Sequence, residues 1–567
     1  MPNPNDGVLA RLVADAATAL SIPPATFAPE LPGGLGVSVP GRADWTSLDP
    51  SDLGRIYRDG AVPDAKTSGT YYTPPAVARL LVERALGHAI PRPIVLDPAC
   101  GCGALLLAAL DHLADGGLSP LRAARLLRGH DRDFGSVIVT RVALLLSATQ
   151  LGASAAGIQR LASELPLQVT QRDVLHQLPD CAADCIVANP PYVRAARRGA
   201  ESDRIRRDFA TARGAFDLQV PFIELAVRTV TEGGTIGLLT SSKFLVADYG
   251  RRLRRYLHER ATLRELIDLT DCRGAEAGAL VNQVITIATR KPPRPGHQVA
   301  IFCPESLDDI GPRNQKAQRD LLRSRWPTLR ASDDEQSLLA RMLDDTVPLR
   351  ELALVRGGVR GFDYNECCAH MSEATGSRDE LPVVTPGNVR AFRAPTSALL
   401  RLRGTLWECP VLTDRPPAVS DELWRLFHQP KLIIKGIGPR PTAALWDHPT
   451  ALMVAVWGAW GEPRVLGAAL ALLNSLPAAW LHYQQLYAAR IPKGSLRIPL
   501  SWIQEFPVPR SGLDCLAGVA ARRAAASDPA EINAAQHAVD EAAIRAYGLT
   551  EADARLMAKA PLREIQV

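Results

Sequence analysis

Long apolar runs are missing from this 567-residue chain; none reaches the roughly 20 residues that a membrane-spanning helix needs. No hydrophobic segment follows a basic one near its start, so neither a secretory leader nor a membrane partner is expected, and the reading is a cytoplasmic protein. The ten cysteines are irregularly spaced, which excludes a secreted disulfide framework. Cys100-x-Cys102, the Cys181 and Cys185 pair and the adjacent Cys367 and Cys368 lack a zinc-ribbon spacing, so reduced thiols and no metal are expected. Charge of one sign is scarce too: a net charge of +5 permits a nucleic-acid partner without demanding one. Position 106 is Leu, so Gly101-x-Gly103 does not continue into Gly-x-Gly-x-x-Gly, and a dinucleotide enzyme is disfavoured. No Pro-Asp…Asp/Glu-x-Lys constellation marks a fused nuclease. The length calls for two large domains.

What is present centres on Asn189-Pro190-Pro191-Tyr192. The apolar run Cys185, Ile186, Val187, Ala188 reads as the end of a buried strand. Two successive prolines forbid a helix and remove two backbone donors, so the turn is stiff. It fixes a side-chain amide, a rigid carbonyl and an aromatic face together, which suits a planar substrate bearing an NH₂ group. Asn189 Oδ1 and the Pro190 carbonyl can each accept one amino hydrogen, and the Tyr192 ring can stack on the heterocycle.

Three further acids fall at comparable places. Residues 94–97 read as a strand ending in Asp97, after which Ala99, Gly101 and Gly103 form a tight loop opening a helix over about 104–110. About thirty residues on, a second strand ends at Asp131, where a carboxylate suits a ribose diol. A third strand, 167–170, leads to Asp173, and the fourth delivers Asn189. In open α/β sheets the carboxyl edge of the strands is where ligands bind. The pattern predicts a nucleoside-like cofactor without pyrophosphate. Upstream, Tyr71, Tyr72 and Thr73 precede a helix over about 75–86, with Thr73 expected as its N-cap and Pro74 as its first residue.

In this order the motifs resemble those of the TaqI-like (gamma-class) N6-adenine DNA methyltransferases, enzymes of the class I S-adenosylmethionine-dependent fold. The resemblance runs over roughly residues 50–510. It implies a Rossmann-like, doubly wound mixed sheet followed by a β-rich α+β target-recognition domain and a C-terminal helical segment. It also implies S-adenosylmethionine as cofactor and double-stranded DNA as partner. Tyr72, Thr73, Asp97 and the backbone from Ala99 through Gly101 to Gly103 would then meet the methionine part, Asp131 the ribose and Asp173 the adenine amino group. Asn189, Pro190, Pro191 and Tyr192 would hold a flipped adenine. One departure concerns the stretch 272–278: an aromatic that the family uses to sandwich the base is missing there.

The division expected along the chain is a helical lead-in at 1–66, a catalytic domain at 67–295, a junction at 296–350, a target-recognition domain at 351–512 and a helical segment at 513–567. Residues 193–213 hold seven arginines against three acids, and Arg194, Arg197 and Arg198 directly follow the catalytic turn. They are candidates for phosphate contact, as are Lys431, Lys435 and Arg440 in the second domain. A single helix is expected over 466–487. Alternatives are a methyltransferase for RNA or a protein amide nitrogen, or a DNA-recognition subunit of a defence complex. A separate restriction nuclease or defence-system subunit could accompany any DNA-directed form.

Overall fold

The computed structural model describes residues 4–29, 48–61, 73–180, 182–192, 199–214, 216–275, 282–311, 314–323, 328–359, 362–377, 379–393, 400–402, 405–487 and 496–560. The chain divides into two compact units, Met1–Leu329 and Arg330–Val567, a boundary within the stretch expected to be a junction.

The first unit is built on nine strands: β1 (Val95–Asp97), β2 (Leu127–Asp131), β3 (Val169–Gln171), β4 (Ala183–Ala188), β5 (Val230–Ser241), β6 (Thr262–Asp268), β7 (Gln283–Thr289), β8 (Gln298–Phe302) and β9 (Asn314–Ala317). Their order is β3-β2-β1-β4-β5-β7-β6-β8-β9. The pairings from β3 through β5 are parallel, and β7 runs antiparallel between β5 and β6. Strand order reverses between β1 and β4, which makes a crevice at their carboxyl ends.

Parallel strands covered on both faces must be largely apolar, and β1 and β4 are, apart from Asp97 at the end of one and Asp184 in the other. Ile186 and Val187 are fully buried, each contributing roughly 1.5–3 kcal/mol relative to exposure. The helix Phe134–Gln150 is buried nearly all round, with Asp133 capping it by accepting from the Ser136 N–H at 2.8 Å. Inside that helix Arg141 is buried and donates to the carbonyls of Val169 and Phe27 at 2.9 and 3.0 Å. The N-terminal helix Pro4–Leu20 packs on the same helix.

In the second unit an antiparallel sheet joins Ala353–Gly357, Val456–Gly461, Lys431–Lys435 and Ala443–Trp446 in that order. A smaller four-stranded sheet and the C-terminal helices Leu513–Ala525, Pro529–Ala546 and Glu551–Lys559 complete it. The helix expected over 466–487 is instead two, Pro463–Leu473 and Leu476–Leu486, bent by 68°. The break has a physical cause. Buried Asn474 bridges to the Ala443 backbone, accepting and donating at 3.0 Å, and Ser475 caps the following helix. Among the described residues no single helix is long and apolar enough to cross a membrane; this bent pair would pass by length and composition, and it lies buried in the unit. Among the described cysteines, Cys100, Cys185, Cys367, Cys409 and Cys515 carry free thiols.

Candidate active site

The loop after β1 shapes the first half of the site. Asp97 is buried, and its Oδ1 accepts the Ala99 N–H at 3.0 Å. Asp131, at the end of β2, accepts the Gly101 N–H at 2.9 Å and the Asp133 N–H at 2.8 Å, tying the glycine loop to the neighbouring strand. Thr140 donates to the Gly101 carbonyl at 2.8 Å. Gly103 has φ +88°, and a Cβ there would stand 3.0 Å from Thr140 Cγ2, so backbone conformation and space both require glycine. A Cβ on Gly101, by contrast, would meet nothing within 4 Å, so the loop faces open space.

Burial pushes the Asp97 carboxyl up to about 8; the Ala99 N–H works against this, and the nearby Asp131 charge adds to it. Asp131 is also raised, again chiefly by burial, against the two backbone N–H groups it accepts. Asp97 is buried and Asp131 partly so beside an open glycine loop, with Arg132 near Asp131. A ligand with positive charge at Asp97 and hydroxyls at Asp131 fits these residues.

The second half is the turn after β4. Asn189 Nδ2 donates to Thr73 Oγ1 at 2.9 Å, and the Tyr192 hydroxyl lies 2.7 Å from Asn189 Oδ1. That hydroxyl also lies 3.1 Å from the Leu239 carbonyl on β5, and Gln283 Nε2 at the start of β7 approaches it at 3.5 Å. The amide is thus fixed at both ends, and Pro190 beside it is buried. Asp173 lies two residues past β3, with Oδ1 accepting the Leu175 N–H at 3.1 Å. His176 and Glu201 bring ligand atoms within 4.8 Å of those of Asp173, a grouping the sequence did not suggest.

Thr73 does not cap the helix Pro75–Leu86; Pro74 holds the N-cap position without a side-chain bond, because the Thr73 hydroxyl is engaged by Asn189. Tyr72, Arg194, Arg197 and Arg198 lie outside the described residues, as does part of the stretch 272–278.

In the second unit Lys431 is not the surface cation expected. It is fully buried, its Nζ donates to the His448 carbonyl at 3.1 Å, and burial lowers its pKa to about 8. Lys435 is half-buried and held below the ordinary lysine value by burial and by Arg390. Arg440 donates to the Asn474 carbonyl at 3.1 Å. Arg523 is held down by burial and by the like charges of Arg393 and Arg440, and its guanidinium lies 5.1 Å over the Phe392 ring. Arg390 therefore lies near the expected Lys435, and Arg393 and Arg523 near one another and the expected Arg440; sequence reasoning missed these three arginines, which are scattered along the chain and carry no local motif.

Residues 129–273 match the Eco57I restriction-modification methylase family. The chain is similar to the type II methyltransferase M.PaeR7I of Pseudomonas aeruginosa, 27% identical over 322 residues, 51% of this chain and 54% of that protein. It is also similar to the type II methyltransferase M.BanIII of Aneurinibacillus aneurinilyticus, 28% identical over 235 residues, 40% of this chain and 39% of that protein. The chain thus spans about half or less of the curated relatives it matches. Among solved structures it shares the fold of the type IIL restriction-modification enzyme MmeI in complex with DNA, with a TM-score of 0.59, 13% identity and coverage of 100% of this chain and 92% of that one. Over part of its length, then, the chain is similar to restriction-modification methyltransferases, and it shares the fold of MmeI.

Proposed function

We propose that this chain is a site-specific DNA methyltransferase that moves a methyl group from S-adenosylmethionine to the exocyclic N6 of an adenine flipped out of duplex DNA, within a restriction-modification or phage-defence system. The observation that carries the reading is the Asn189 amide, fixed at the carboxyl end of β4 on the same sheet edge as Asp97 and Asp131.

S-adenosylmethionine, when bound, supplies an electrophilic sulfonium methyl. Asp97 and the 99–103 backbone would hold its methionine part with Tyr72 and Thr73, Asp131 its ribose hydroxyls and Asp173 its adenine amino group. Asn189 Oδ1 and the Pro190 carbonyl accept the two N6 hydrogens of the target, which frees the nitrogen lone pair, while the Tyr192 ring stacks on the base. The target reaches these groups only after leaving the stack. Catalysis is then positioning rather than strong base chemistry, and the proton departs to solvent after transfer. Lys435 and Arg440, with Arg194, Arg197 and Arg198, are proposed to neutralise phosphates, and a separate nuclease or defence subunit is the natural companion. That MmeI is solved with DNA, and that the relatives are type II methyltransferases, supports this choice of substrate.

Methylome sequencing of cells expressing the chain, beside cells expressing Asn189→Ala, tests the reading. N6-methyladenine at one short motif is expected, lost in the variant while the purified variant binds S-adenosylmethionine normally. Methylated RNA or protein with unmodified DNA would overturn it.

A further inference from the structure

We infer that Thr73 is a positioning residue for Asn189, setting which end of the amide faces the substrate nitrogen. The kinetic consequence rests on the methyl-transfer reading above; the contact itself does not.

An amide has two ends of nearly equal size and opposite polarity: Oδ1 accepts and Nδ2 donates. A half-turn about the last side-chain bond exchanges them at little steric cost, since that torsion is broad and nearly two-fold. For a target amino group the exchange is ruinous. Nδ2 would then present hydrogens to hydrogens, and nothing would draw the lone pair toward the methyl donor.

Two bonds hold the productive orientation: Asn189 Nδ2 to Thr73 Oγ1 at 2.9 Å, and the Tyr192 hydroxyl on Oδ1 at 2.7 Å. In a loaded site the incoming amino group competes with Tyr192 for Oδ1, although the two lone pairs of that oxygen can also serve both donors. Where the amino group displaces Tyr192, Thr73 is the partner among the described contacts that keeps the amide from turning. It is well placed to do so. Thr73 is 6% exposed, so water does not readily replace it as the partner of Nδ2. The following Pro74, at φ −56° and ψ 141°, fixes the chain entering the helix Pro75–Leu86 and restricts Thr73 to extended backbone. A side chain 116 positions upstream in sequence thus acts on the substrate through Asn189.

Thr73→Val keeps the shape and removes the acceptor, and Thr73→Ser restores a hydroxyl. With S-adenosylmethionine saturating and unmethylated genomic DNA as substrate, Thr73→Val should lower kcat by about 30-fold or more while KM for DNA changes less than about threefold, any loss of cofactor affinity being read separately by calorimetry. Thr73→Ser should return kcat to within about fivefold of wild type. Loss of cofactor affinity with kcat intact at saturation would make Thr73 a cofactor contact only and overturn the inference, as would an unchanged kcat in Thr73→Val. A melting-temperature cycle of Thr73→Val with Asn189→Ala, measured without substrates, tests the contact and shows that each variant folds. Non-additive shifts are expected, and additive ones would overturn it. A wild-type chain that leaves DNA unmethylated would refute the proposed function, and the melting cycle would still decide on the contact.

Discussion

The Tyr192 hydroxyl stands 2.7 Å from Asn189 Oδ1, on the acceptor that a substrate amino hydrogen would use. A single hydroxyl proton serves that oxygen or the Leu239 carbonyl 3.1 Å away, so the tyrosine is shared between two acceptors in the unliganded protein. Where the substrate amino group displaces the tyrosine, freeing Oδ1 costs about 1 kcal/mol, the usual net worth of one such bond. Tyr192→Phe should therefore lower KM for DNA by about threefold to tenfold and leave kcat within about threefold, because the ring is retained. Tyr192→Ala should lower kcat/KM by about 10- to 100-fold, since base stacking on an aromatic is worth about 1–3 kcal/mol. Initial-rate kinetics on unmethylated DNA read both.

Asp97 should make cofactor binding pH-dependent. Its carboxyl, raised by burial to about 8, carries a proton at neutral pH in the unliganded protein, and a cationic ligand requires that proton gone. S-adenosylmethionine should release about one proton on binding at about pH 7, and its affinity should rise by up to about tenfold per pH unit from about pH 6 toward 8 before levelling. Calorimetry in buffers of different ionisation enthalpy reads the proton, and Asp97→Asn should release none there.

The same shift has the opposite sign for stability. The native carboxyl holds a proton that the unfolded chain gives up near the ordinary value of about 3.9, so Asp97 costs stability increasingly as pH climbs from about 4 to 8. Asp97→Asn should gain on the unliganded wild type in melting temperature across that window, with the gap closing toward its acid end.

The two loop glycines should separate stability from binding. Gly103→Ala forces a Cβ into φ +88° and against Thr140, and should lower stability by about 1–2 kcal/mol or more in a denaturant titration. Gly101→Ala meets only the backbone cost of φ +51°; its methyl points into open space, so S-adenosylmethionine affinity should fall more than stability does.

Cations of the second unit should differ by burial. Arg393→Ala and Arg523→Ala, which relieve a crowd of like charge, should each weaken DNA binding on all sequences alike and reduce the slope of log affinity against log salt by about one. Lys431→Met should leave that slope unchanged, because the ammonium is buried on the His448 carbonyl. Filter binding at several salt concentrations separates the two groups.

The ends of β1 and β4 are legible in the sequence because each polar residue follows an apolar run, and the glycine loop punctuates the first; Asp131 follows a mixed strand and is legible by its spacing from that loop. Thr73 is legible as a site residue and misread as a cap: local pattern favours a bond to its own helix, and the partner that wins lies on β4's turn. Lys431 misleads for a related reason. A lysine opening a strand looks solvent-facing, and only the fold shows the His448 carbonyl closing over it. Gln283 carries no signal at all. Its importance depends on β7 lying beside β5 with Ser241 opposite Gln283, a register no local motif specifies.

The reversed direction of β7 has its own consequence. Parallel strands reach the catalytic edge by their ends, whereas β7 reaches it by its first residue, Gln283. β6 ends at the same edge, with Asp268 opposite Val284, and the described residues of the link between the two strands, 269–275 and 282, form no helix. A chain of this design can lengthen, shorten or rewrite that link without rethreading the sheet. That link can diverge while the loops after β1 and β2, which are proposed to hold the methyl donor, remain as they are.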